Sequence, residues 1–139
     1  MPIQHRIDHE RRLVLARGIG VLTYDEVFGY QREVWSDPEI AHYNELMDMT
    51  RVESIELESS AGVKELAAAS AAMDPGGPER RFAIVAPNDF AFGLGRMYEA
   101  YREMLPGSRK RVGVFRTMPE ALEFLAIRSR TDPWDAEQQ

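Results

Sequence analysis

Phe82-Ala83-Ile84-Val85-Ala86 runs directly into Pro87-Asn88-Asp89 and then into Phe90-Ala91-Phe92-Gly93-Leu94. Five consecutive apolar residues of strand length suit a strand buried on both faces, as in a parallel sheet covered by helices. Asn88 or Asp89 can cap a following helix by accepting its first free amides. That helix is expected to bury Phe90, Leu94, Met97, Tyr98, Tyr101 and Leu105, and Pro106-Gly107 ends it. Val112-Gly113-Val114-Phe115 then reads as a second short buried strand. Strand, helix and strand in this order imply parallel pairing through a right-handed crossover.

Working outward in both directions extends the same alternation. Upstream, Ser59 or Ser60 can cap a helix whose face is Val63, Leu66, Ala67 and Ser70, at i, i+3, i+4 and i+7. The small residues Ala67 to Ala72 keep that helix thin. Asp74-Pro75-Gly76-Gly77-Pro78 separates it from the buried strand. Tyr43 to Met49 reads as another strand. Before it, Thr23 and Glu26 have capping-box spacing, Val27, Tyr30, Gln31 and Val34 follow at helical period, and Asp37-Pro38 closes the helix. Ile3–Asp8 and Leu13–Arg17, joined by the polar turn His9-Glu10-Arg11-Arg12, read as a hairpin, after which Gly18 and Gly20 loosen the chain. Downstream, Thr117 and Glu120 repeat the capping spacing around Pro119, and Ala121, Leu122 and Leu125 form the inner face of a fourth helix. The expected fold class is α/β, a mixed sheet with an N-terminal hairpin and four helices in the order ββαβαβαβα. Residues 1–127 make one domain and 128–139 a polar tail that frays.

The 139 residues are one domain's worth of chain, enough to bury roughly two thirds of the unfolded surface without a staple. The absence of cysteine excludes disulfides, thiol catalysis and thiolate metal sites. No apolar run approaches the ~20 residues needed to span a bilayer, and the N-terminus lacks the apolar stretch of a secretory signal. A cytoplasmic location is the expectation. The net charge of −6 disfavours a nucleic-acid partner. His5, His9 and His42 show no metal-ligand spacing, so no metal and no cofactor are expected.

Some polar residues could carry function. Asp48 lies near the C-terminal end of a central strand, where ligands gather in open α/β sheets; its structural role would be an ion pair with Arg51 or a cap for local amides. Asn88, Asp89, Phe92, Gly93, Gly95 and Arg96 surround a helix start whose free amides could receive an anion. The alternative is glycine packing, because the dinucleotide fingerprint needs a third glycine. Phe90, Phe92, Met97, Tyr98 and Tyr101 suggest an apolar pocket or a dimer surface. Phe90 and Phe92 cannot both point inward, since i and i+2 diverge on a helix. Arg109-Lys110-Arg111 reads as a solvated basic loop.

The chain resembles the STAS domains, and more narrowly the SpoIIAA-like group of small bacterial proteins. The resemblance spans residues 3 to 127. It rests on Arg6-Ile7-Asp8 with Glu10-Arg11-Arg12-Leu13-Val14, on Tyr43 to Met49, on Ala83 to Pro87 with Phe92 to Tyr98, and on Val114 to Leu122. These are core and cap residues, not a catalytic signature. In anti-sigma-factor antagonists of this family a serine at a helix start is phosphorylated within Asp-Ser-Ser-Gly. Here Glu58 stands for the aspartate and Ala61 precedes Gly62, so the resemblance makes Ser59 and Ser60 the phosphorylation candidates, with N-capping as their other role.

No catalytic constellation is visible. The expected function is a non-enzymatic binding or regulatory module acting through a protein partner or a small ligand. The alternative is a carrier of a lipid-like or other apolar small molecule, as in the CRAL-TRIO domains that STAS folds resemble in outline. A homodimer is compatible with each.

Overall fold

A computed structural model describes residues 2–56, 60–73, 77–105, 108–128 and 133–136. Among these, the chain order is β1 (Ile3–Asp8), β2 (Leu13–Thr23), α1 (Tyr24–Trp35), β3 (Asn44–Glu56), α2 (Ser60–Ala72), β4 (Arg80–Val85), α3 (Asp89–Glu103), β5 (Lys110–Phe115), α4 (Met118–Phe124) and α5 (Pro133–Ala136). The strands lie side by side in sequence order, with β1 antiparallel to β2 and every later pair parallel. The expected ββαβαβαβα mixed sheet is therefore present.

Each crossover steps to the next strand in the same direction and with the same hand. α1, α2 and α3 consequently all cover one face of the sheet. Val14, Met47, Phe82, Ile84, Val112 and Val114 meet Tyr30, Val34, Val63, Leu66, Ala91 and Tyr98 there. Strand alternation sends Leu13, Leu15, Leu46, Ala83 and Val85 to the opposite face, where α4 supplies Ala121, Leu122 and Leu125. β4 is buried on both sides, as its apolar run requires.

Two strands are longer than the sequence indicates. β2 continues through Gly18 and Gly20 to Thr23, and β3 runs on to Glu56 beside it. The glycines do not end the strand. They accompany register shifts between Arg17 and Ile19 and between Gly20 and Val21, where an extra residue is accommodated. Gly20 takes φ +73°, which favours glycine. Thr23 then caps α1 with both arms of the capping box in place. At α4 the corresponding Thr117 hydroxyl instead donates to the Glu120 carboxylate at 2.7 Å.

The tail expectation needs correction at Trp134. α5 docks Trp134 against the α4 side of the sheet, leaving it 5% exposed. Arg6 and Arg17 place their guanidinium groups 5.0 and 4.7 Å from the indole centroid. Arg6 also donates to the Trp134 carbonyl at 2.9 Å. An apolar surface with two cationic neighbours gives a polar segment one buried anchor.

Candidate functional site

Glu45, Met47 and Met49 occupy alternate positions of β3 and so share one face. All three border a partly open cavity of about 90 Å³ between the sheet and the helices. α1 contributes Tyr30 and Gln31, α2 contributes Val63 and Leu66, and α3 contributes Leu94, Gly95 and Tyr98. α3 can approach because Gly95 has no side chain: a Cβ there would stand 2.9 Å from Cγ1 of Val114. α2 leans on α3 and roofs the space, with Val63 and Leu66 turned toward the sheet. The wall is almost wholly apolar, and methionines in it can adjust their shape to a guest.

One end is polar. The Tyr30 hydroxyl donates to Glu45 Oε2 at 2.6 Å, and Lys110 Nζ donates to Glu45 Oε1 at 2.7 Å. Glu45 and Lys110 are only 2% and 8% exposed. Lys110 also stands 4.2 Å from the Trp35 ring centroid and 4.8 Å from that of Phe82. Burial lowers its affinity for a proton, while the Glu45 charge pulls the other way. Burial, and then the Glu45 charge, raise the Tyr30 hydroxyl well above the usual phenol range. Deeper in, Tyr98 and Arg102 both donate to Ser70 Oγ, at 2.7 and 3.0 Å, and Arg80 donates to the Ala41 carbonyl. A second pocket of about 10 Å³, bordered by Gln31, Trp35, Arg80 and Lys110, has room for one water. Gln31 borders both spaces, and its Oε1 is buried with no hydrogen-bond partner among the described residues.

Of the residues singled out in the sequence, Gly95 joins this cavity. Asp48 lies on the opposite sheet face, 2% exposed; it pairs with Arg17 at 3.5 Å, not with Arg51, and accepts the Thr50 amide at 2.9 Å. Asn88 caps α3 by accepting from the Ala91 amide at 2.7 Å. Asp89 pairs with Arg116 at 2.6 Å on the surface, and the same guanidinium covers the Phe92 ring at 4.0 Å. Gly93 faces open space, and Arg96 pairs with Glu99 at 3.0 Å. Ser59 lies outside the described residues; Ser60 opens α2. The aromatic set divides: Tyr98 lines the cavity, Phe92, Met97 and Tyr101 pack against the core, and Phe90 is 58% exposed rather than inward. The reading of Arg109-Lys110-Arg111 as a solvated loop fails at Lys110, which opens β5 with its side chain inward.

Sequence reasoning missed the polar end altogether. Its one local signal is Glu45-x-Met47-x-Met49, a carboxylate in line with two soft apolar residues. Among the described residues no group of three or more His, Asp or Glu could hold a metal, and no helix is long and apolar enough to cross a membrane.

No family model and no curated protein matches the chain. Among solved structures it is similar to an uncharacterized protein from the DUF3478 family with a SpoIIAA-like fold, from Shewanella loihica PV-4. The superposition has a TM-score of 0.54 at 16% identity, and covers 88% of this chain and 93% of the other. The chain, with the strand order and helix placement already described, has a SpoIIAA-like fold.

Proposed function

We propose that this chain is a non-enzymatic binding protein that takes a small apolar molecule into the cavity roofed by α2. The observation that carries the reading is the partly open 90 Å³ space with an apolar wall and a single polar end. An apolar wall accepts apolar guests, and one fixed polar group then orients them. A guest reaches the space by its open side, beneath the roof that α2 makes with α3. Xenon under pressure is the test, read by the methyl resonances of Met47 and Met49. Saturable shifts at those two methyls are expected. Their absence overturns the reading.

A second reading is a regulatory module acting through a protein partner or a second copy of itself. Phe90 favours it, a large apolar side chain standing in solvent at the start of α3. Light scattering at micromolar concentration is expected to show a dimer that Phe90→Ser dissolves. A monomer at all concentrations counts against self-association.

A further inference from the structure

The polar end of the cavity presents acceptors. Tyr30, on the cavity wall, has already directed its hydroxyl proton to Glu45, so its oxygen can only accept from a guest. Glu45 is held from Tyr30 and Lys110, and each carboxylate oxygen keeps further acceptor capacity. Gln31 Oε1 is buried without a partner among the described residues. Lys110 and Arg80 border the smaller pocket and not the cavity, and that pocket has room for a water but not for an anionic head. A carboxylate or phosphate entering the cavity would meet the Glu45 carboxylate and find no matching set of donors. Gln31 stands on the cavity wall, and a turn of its side chain would bring Oε1 to a hydroxyl that supplies the proton it lacks.

We infer that the ligand class is a neutral molecule with a short apolar body and one terminal hydrogen-bond donor, a primary alcohol in its simplest form. The inference rests on the binding reading above. The volume sets the scale: about 90 Å³ is less than the roughly 150 Å³ of an engineered cavity that admits benzene. The enclosed part of the ligand is therefore a few carbons long, and any longer chain leaves through the open side.

The experiment compares 1-hexanol, hexanoate and xenon on the full chain and on Gln31→Met, which keeps the side-chain volume and removes the acceptor. Shifts of the Met47 and Met49 methyls give the affinities near pH 7, where hexanoate is ionised. 1-Hexanol is expected to bind at least several-fold more tightly than hexanoate. Gln31→Met should weaken 1-hexanol roughly fivefold, the worth of one neutral hydrogen bond, and leave xenon unchanged. Hexanoate binding as well as the alcohol, or Gln31→Met leaving the alcohol unaffected, overturns the inference. Xenon shifts without 1-hexanol shifts overturn this inference alone, whereas silence toward xenon overturns the cavity reading as well.

Discussion

The two faces of the sheet solve the same packing problem differently. The α4 side is filled: Leu13, Leu15, Leu46, Ala83 and Val85 meet Ala121, Leu122, Leu125 and Trp134, and its buried charge, Asp48, is matched by Arg17 and a backbone amide. The side carrying α1, α2 and α3 keeps a space, and gathers Tyr30, Glu45, Arg80, Arg102 and Lys110 beside it. Both faces come from the same strands, and alternate residues decide which is which.

The largest effect that would break this contrast is at Glu45. Glu45→Leu leaves Lys110 buried without its carboxylate, and should cost about 3–5 kcal/mol in urea denaturation. Adding Lys110→Met should recover much of that loss, since the pair removed together leaves no orphan charge. Next comes one substitution made on each face. Ala83→Val overpacks the filled side and is expected to cost on the order of 2 kcal/mol, whereas Val63→Ile adds its methyl group to the cavity wall and should change stability by less than about 1 kcal/mol. Equal costs would deny that the faces differ in packing.

Trp134→Ala should cost roughly 1–2 kcal/mol, below the 3–5 of an interior tryptophan, because α5 can undock instead of leaving a void. Proteolysis should then trim the tail while the rest stays folded. The smallest effect is in pH. Tyr30 holds its proton more tightly when folded, so its stabilisation is complete below the unfolded phenol value of about 10 and is lost as pH rises beyond it, at up to about 1.4 kcal/mol per pH unit. Lys110 gives the opposite slope below its unfolded value of about 10.5, so the difference between the native chain and Tyr30→Phe isolates the phenol. Parallel profiles for the two proteins would contradict the assignment.

Local patterns carried much of the fold. β1 follows its alternating hairpin, α1 its Thr23–Glu26 box, and the α4 face its Ala121, Leu122 and Leu125 spacing. Gly18 and Gly20 misled because glycine inside a strand marks either an end or a bulge, and only the partner strand decides. α3 is rotated from the expected face because Gly95 lets it close on the sheet, with Ala91 buried one turn earlier, which turns Phe90 outward. The polar end was illegible for another reason. Glu45 and Lys110 are 65 residues apart, and a charged residue read alone looks like surface. Trp134 hid for the same reason: its buried setting comes from Arg6 and Arg17 at the other end of the chain.

The chain has two tryptophans, and the fold puts one in each layer. Trp35 lies beneath Lys110 beside the smaller pocket, and Trp134 lies between two arginines on the far face. The protein thus carries an intrinsic fluorescent reporter for each side. With Trp134→Phe, emission belongs to Trp35 and responds to the state of Lys110, whose partner Glu45 borders the cavity; with Trp35→Phe, it follows the docking of the tail. Loading of the cavity and release of α5 can therefore be watched independently in one molecule, without an added label.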